Sequence, residues 1–372
     1  MASIQILVAL GMLALACGSP LEPKVDTVWL LSVNYTSYVY SPIKDRLLAL
    51  HPGGLAVDEL DLATQTVGKT YSLPIPGYRI GVGNTGRYVS VVHNSYITFI
   101  DVVTETFQTE NFPYADVPVN GLVVDLSEEH ETCGWIHLYQ SGQYISEIIC
   151  VNPVNGNATK CYDQGGSYGY TSTTLGSPDG KYIYGLTSTG YVIKYYVPDV
   201  TPSPIVVPRC PYYRYAVKPN WGNYYTPNSA WFSYDHSRIF LNNGLTLSAS
   251  SDQTEDLQEH GSFNGSFSSQ NIYWVDQDAK LTTHEVVTLQ RIYDYEESMY
   301  KLVVLKYSWP FLEAMSSHID IPVPTSPAGL KVNTYGVGSQ VYFGTSSSKI
   351  MAVVNYTMDN YIHAPGIAYI TL

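Results

Sequence analysis

Two histidines stand at matching places along the chain. His51 directly follows an alternating apolar run that ends at Leu50, and His93 follows one that ends at Val92. Two imidazoles at equivalent strand ends could ligate a metal, or serve as a base and its partner. A working site of either kind needs further titratable groups converging on one point. The residues at comparable strand ends elsewhere, Gln140, Thr187, Asn242 and Thr345, supply none, and Asp294 is the one carboxylate in such a place. The plainer reading is of two solvated loop histidines.

The second candidate is a stretch from Pro211 to Tyr225 that holds Tyr212, Tyr213, Arg214, Tyr215, Lys218, Trp221, Tyr224 and Tyr225. Tyrosine and tryptophan combine large apolar area with a polar handle, so this density of rings beside Arg and Lys suits a ligand-binding surface. Sugar stacking and protein binding both fit, as does an aromatic plug packed against its neighbours. Motifs that would announce catalysis do not occur: there is no Gly-x-Ser-x-Gly elbow, no His-Glu-x-x-His, and no Gly-rich loop opening a helix. Asp179 and Asp235 fall in polar turns, where short acceptors stabilise the bend.

What must position these residues is an imperfect repeat. Asn84-Thr85-Gly86-Arg87 leads into Tyr88 to His93, then Tyr96 to Asp101, then a turn at Thr104-Glu105. Ser177-Pro178-Asp179-Gly180-Lys181 leads likewise into Tyr182 to Leu186 and Tyr191 to Tyr196. Each unit is a polar turn, an alternating strand, a tight turn and a second alternating strand. Copies follow at Ser41 to Leu50 with Leu55 to Asp61, Cys133 to Tyr139 with Tyr144 to Val151, Arg238 to Leu241 with Leu245 to Ser248, and Gln340 to Gly344 with Lys349 to Asn355. Ser268 to Pro322 fits poorly, and counting it as one divergent unit makes seven.

A spacing of about 40 to 50 residues with short strands and no helical period predicts an all-β chain, a β-propeller of seven four-stranded blades. The Ser177 to Tyr184 stretch resembles the YVTN and WD40-like propeller superfamily, a resemblance that implies fold far more than function. In such a ring the turns from second to third strand and the connections between blades open on one face, which would gather His51, His93 and the Tyr212 to Tyr225 stretch. Closure requires a terminal strand, either Thr27 to Val33 or Ile367 to Leu372, to complete the last blade beside the other terminus.

The surroundings of this domain are also legible. Residues 1–18 carry no charge, and their apolar run Ile4 to Ala16 has the length of a signal-peptide core, with a cut expected before Ser19 and a single domain over 19–372. Four sequons follow, at Asn34, Asn157, Asn264 and Asn355, so N-linked sugars on exposed turns of a secreted, extracellular protein are expected. Beyond Cys17 in the leader, Cys133, Cys150, Cys161 and Cys210 lack CxxC spacing and read as two disulfides rather than a metal site. Cys133 with Cys150 and Cys161 with Cys210 is the favoured pairing, with all three connectivities open. A net charge of −13 would repel a phosphate backbone, which argues against nucleic acid, and no later segment is long and apolar enough to span a bilayer.

The expected function is an extracellular interaction propeller that binds a protein or carbohydrate, with no cofactor indicated. Two alternatives stand beside it. One is a hydrolase or lyase, metal-assisted or not, using His51 and His93; the other is a matrix or adhesive protein using its 34 tyrosines. Strand positions such as Tyr182, Tyr184, Tyr195 and Tyr342 fit packing better than cross-linking.

Overall fold

The computed structural model describes residues 24–83, 86–93, 96–111, 122–126, 134–139, 146–151, 158–162, 171–176, 182–187, 191–196, 214–217, 227, 229–233, 235–263, 272–277, 284–315, 318–324, 328–334, 340–343, 349–358 and 361–371. The leader, Cys133, Cys210, Asn157, Asn264, Gln140, Asp179, Thr345 and the aromatic residues Tyr212, Tyr213, Trp221, Tyr224 and Tyr225 lie outside these residues.

Strand β1 (Lys24–Leu30) precedes the first four-stranded sheet, which runs β2 (Ser37–Ser41), β3 (Arg46–Leu50), β4 (Ala56–Asp61) and β5 (Thr66–Ser72). The second sheet is β6 (Arg79–Val82), β7 (Tyr88–Val92), β8 (Tyr96–Asp101) and β9 (Thr106–Asn111); the third is β10 (Leu122–Leu126), β11 (Gly134–Tyr139), β12 (Ser146–Val151) and β13 (Ala158–Tyr162). The fourth is β14 (Thr171–Gly176), β15 (Tyr182–Thr187), β16 (Val192–Tyr196) and β17 (Arg214–Val217), and the fifth is β18 (Ala230–Phe232), β19 (Arg238–Leu241), β20 (Leu245–Ser248) and β21 (Glu259–Ser262). The sixth comprises β22 (Ile272–Gln277), β23 (Glu285–Asp294), β24 (Met299–Ser308) and β25 (Ile319–Asp320). The last holds β26 (Lys331–Val332), β27 (Gln340–Phe343), β28 (Lys349–Met358), β29 (Tyr361–Thr371) and, on its outer edge, β1.

Among the described residues all strand pairs are antiparallel, and the first strands of successive sheets pack side by side: β2 on β6, β6 on β10, β10 on β14, β14 on β18, and β22 on β27. Fully buried faces fill the gaps between sheets. Leu48, Leu50 and Val57 meet Val89, Val91 and Ile100 between the first and second sheets, while Leu47 and Leu60 meet Met351, Val353 and Ile367 between the first and the last. Phe240 packs with Val303 and Leu305, and Val287 and Leu302 pack with Ile350 and Ala368. Sheets that bury both faces only against their neighbours, around inner first strands, make an all-β propeller.

The turns between third and fourth strands show why the sequence bends where it does. Asp61 accepts hydrogen bonds from the amides of Ala63 and Thr64 through one oxygen, and Asp101 does the same for Val103 and Thr104. Thr64 bonds Thr66 and Thr104 bonds Thr106, both at 2.8 Å, while Gln65 and Glu105 take left-handed φ of 55° and 59°. The repeated Asp-x-x-Thr-x-Thr is thus an Asx turn closed by a threonine pair. Arg46 and Arg87 each reach 2.9 Å from the turn aspartate of their own sheet.

Several expectations are corrected. Strand-like Thr27 to Val33 is shifted to Lys24–Leu30: the Leu31 amide still donates to the Pro365 carbonyl at 3.0 Å, but proline has no N–H to return the bond, and the Leu31 side chain buries between the last and first sheets. That strand, pairing Lys24 with Thr371 and Leu30 with Gly366, is the terminal element that closes the ring. Within Ser268 to Pro322 the strands β22 to β25 form a four-stranded sheet whose central strands run to 10 residues each, and that length is why the stretch fits the repeat poorly. In the last unit the match slips by one strand: Gln340–Phe343 is the inner first strand, so the place equivalent to His51 follows β28. Cys150 and Cys161 occupy adjacent strands, opposite Thr159 and Ile148. Asn355 is half-buried in β28 opposite Pro365 rather than on a turn, whereas Asn34 is exposed on the connection into the first sheet.

Candidate functional site

In the first and second sheets the start of the first strand lies beside the end of the second, Ser37 pairing with Leu50 and Arg79 with Val92, and the other sheets run their strands in the same sense. The turns between second and third strands and the connections between sheets therefore share one face. His51, His93, Thr187 and Asn242 all lie at this level, as the repeat implied.

Their roles are to hold the connections. Asp58 on β4 is buried, and its carboxylate accepts three side-chain hydrogen bonds: from Tyr35 Oη at 2.6 Å, from His51 Nε2 at 2.7 Å and from Thr70 Oγ1 at 2.6 Å. A carboxylate can only accept here, so His51 carries its proton on Nε2. Burial opposes the charge on Asp58, but the bonds from Thr70, Tyr35 and His51 outweigh it and hold the carboxyl below its ordinary range. The Tyr35 phenol is pushed up, first by burial and then by this bond and charge. Tyr35 belongs to the connection from β1 into β2, so the cluster clamps that connection to its sheet. Its ring meets the His51 ring edge-on at 5.2 Å and the Tyr38 ring at 5.9 Å.

His93 does the same work with different partners and is 1% exposed, which overturns the solvated reading. Its Nδ1 donates to the Pro76 carbonyl at 3.0 Å, on the connection into the second sheet, and this fixes Nε2 as acceptor of the Thr98 hydroxyl at 2.9 Å. Thr98 in turn meets Thr109 Oγ1 at 2.7 Å. Burial depresses the His93 pKa, partly offset by backbone carbonyls, so the neutral tautomer persists. Thr98 and Thr109 stand where Asp58 and Thr70 stand one sheet earlier. In the fifth sheet Asn242 Oδ1 accepts from the Ser229 amide, again on the incoming connection. Thr187 Oγ1 instead accepts from the Tyr191 amide and closes its own turn.

The connections also approach closely enough to demand glycine. Gly54, at φ 84° and 73° for the Gly53–Gly54 pair, would place a Cβ 2.1 Å from the Gly77 carbonyl oxygen. The Gly77 amide donates to Gly54 O at 2.9 Å, binding the first turn to the link between the first two sheets.

An acid–base reading of His51 and His93 gains nothing from this geometry. Each imidazole is committed to its own sheet, the two networks share no member, and no metal-ligating cluster of three or more His, Cys, Asp or Glu occurs among the described residues. Asp294 is spent on Lys301 at 2.8 Å and on the amides of Glu296 and Glu297. Within the aromatic stretch, Arg214 and Tyr215 are not loop residues. They lie on β17, opposite Tyr195 and Lys194, because a short alternating run supplies the outer strand that the fourth sheet needs. Asp235 is a turn residue, accepting from Ser233, from Ser237 Oγ and from the Ser237 amide.

The feature that sequence reasoning missed is relief. In the first, second and fifth sheets the turns on this face are tight. In the sixth, β23 runs on past its last pairing with the inner strand, Ile272 with Gln290, to Asp294, and β24 returns from Met299. In the last sheet β28 likewise runs past Gln340–Val353 to Met358, with β26 laid along the extension. Four extra residues on β23 and five on β28, at about 3.3 Å each, lift the two hairpins ~13 and ~16 Å. Two adjacent raised hairpins thus form a wall beside a lower floor that holds the His51 network and, next to Tyr35, the exposed Asn34.

Similarity to known proteins bears on fold. The chain resembles the β-propeller domain of Myceliophteria thermophila Cps50 (Swd1), with 11% identity, a TM-score of 0.59, and coverage of 94% of this chain and 99% of that one. It also resembles a chain of a mitotic checkpoint complex, with 9% identity, a TM-score of 0.57, and coverage of 96% and 95%. No family model matches the sequence, and no curated protein matches it. At such identities the likeness carries architecture alone, and it agrees with the radial sheets: the chain is a β-propeller.

Proposed function

We propose that this chain is a secreted, N-glycosylated, seven-bladed interaction propeller, each of its seven sheets one blade, that binds an extracellular protein through the face bearing the raised hairpins. The observation that carries the reading is the asymmetry of that face. A ring needs only tight turns to close its blades; the overrunning hairpins pack Ile292, Leu302, Val354 and Tyr356 into the core, while the tip of the first, with Tyr293, Tyr295, Met299 and Tyr300, stands exposed as surface for contact. Exposed aromatic side chains on one of them are what protein interfaces favour. The apolar leader and the exposed sequon at Asn34 support the secretory route, and the cysteines left outside the leader are read as two disulfides formed along it.

Expression in eukaryotic cells tests this in one preparation. The chain should leave the cell beginning at Ser19, lose mass on enzymatic deglycosylation, and expose no thiol to labelling under denaturing conditions. It should also retain a partner from culture medium that is released when the face is altered. An intracellular, unglycosylated product, or capture indifferent to that face, would contradict the proposal.

A further inference from the structure

The reading of this face as an interaction surface leaves open what the wall takes hold of, and the tip of the β23–β24 hairpin carries chemistry specific enough to say. We propose that this tip is a docking site for a Lys- and Arg-rich segment of a partner protein; the inference rests on the interaction reading and names its partner class.

Four large side chains are exposed there: Tyr295 at 86%, Tyr300 at 48%, Met299 at 45% and Tyr293 at 37%. The tyrosines form one cluster, Tyr293 meeting Tyr295 at 5.0 Å and Tyr300 at 5.1 Å between ring centroids, both edge-on. Tyr293 pairs with Tyr300 across the hairpin, beyond the reach of the inner strand, so blade packing does not require these rings.

Around the rings the charge is negative. Asp294, Glu296, Glu297 and Asp320 face two permanent cations, Lys301 and Arg291, together with His318 at 3.4 Å from Asp320. Lys301 is already held by Asp294 at 2.8 Å and Glu297 at 3.0 Å. The carboxylates therefore outnumber the local cations, in a chain whose net charge of −13 adds a long-range attraction for a polycation. The tip also displays the contact it would make: the Arg291 guanidinium lies 3.9 Å from the Tyr300 ring centroid. Aromatic faces beside carboxylates bind guanidinium and ammonium groups by ring quadrupole and charge together. The same surplus disfavours anionic membranes and nucleic acid, and two copies of this chain would repel.

The test uses the full mature chain and a fluorescein-labelled twelve-residue peptide of alternating Arg and Ser, read by fluorescence anisotropy, with an alternating Glu and Ser peptide as control. The basic peptide should bind and the acidic one should not. Tyr295→Ala with Tyr300→Ala, which leaves charge unchanged, should weaken binding roughly tenfold. Glu296→Gln with Glu297→Gln should weaken it and flatten its dependence on salt, whereas Glu255→Gln, on the opposite face, should leave it unchanged. Equal binding by wild type and both tip variants would overturn the inference, as would self-association abolished by the tip variants. If a natural partner still engaged the same face in that event, the interaction reading would survive without this site.

Discussion

A chain that begins at Leu31, lacking β1, is expected to lose its single cooperative unfolding transition. Strand β1 covers the outer edge of β29 from Thr371 to Gly366, and its Val28, Trp29 and Leu30 side chains pack against the two core clusters that flank the last sheet. Its removal strips a ladder of hydrogen bonds and this apolar contact, and it exposes the edge of a strand whose Ile367, Ala368 and Ile370 are fully buried. Those losses sum to more than ~5 kcal/mol, comparable with the whole stability of many domains. A synthetic peptide spanning residues 20–33 added in trans should restore the transition by strand addition. Urea titration followed by tryptophan fluorescence reads both effects, and a truncated chain melting like the intact one would refute closure by β1.

The second large effect concerns a buried ion pair between the fourth and fifth sheets. Lys194 on β16 lies 3.0 Å from Asp256, in the turn after β20, with side-chain exposures of 4% and 0%. Asp256 also accepts the Tyr184 hydroxyl at 3.1 Å and the Ser250 amide at 2.8 Å, and the ammonium stands 3.9 Å from the Tyr182 ring centroid. Lys194→Met leaves a carboxylate buried without its counter-ion and is expected to cost about 3–5 kcal/mol. Adding Asp256→Leu should recover part of that loss, because it removes the unpaired buried charge but leaves the Tyr184 hydroxyl and the Ser250 amide without their acceptor. A single variant within 1 kcal/mol of wild type by urea unfolding would show that water reaches the pair.

The sequence exposes the fold where turns are tight. Asp61 and Asp101 mark equivalent bends, and His51 and His93 fall at equivalent strand ends because a two-residue alternation and a short turn leave little freedom in register. It is less transparent where strands change length. The 10-residue strands β23 and β28 break the template, and the four-residue β27 takes the place of a second strand in a pattern match. Contacts between distant residues are harder still. Lys194 looks like a polar strand residue until Asp256 is folded against it, and Tyr35, before the first repeat, shows no sign that it would bond Asp58. The raised tip was written in the chain as Tyr293-Asp294-Tyr295-Glu296-Glu297, yet its meaning depends on where the inner strand stops.

Amide hydrogen exchange of the glycosylated chain, alone and with its captured partner, tests the central claim most directly. Protection should gather on residues 291–302 and 354–364 and spread to the turns after Leu50 and Val92. Protection confined to the opposite face, at residues 42–45, 62–65 and 102–105, would contradict the account.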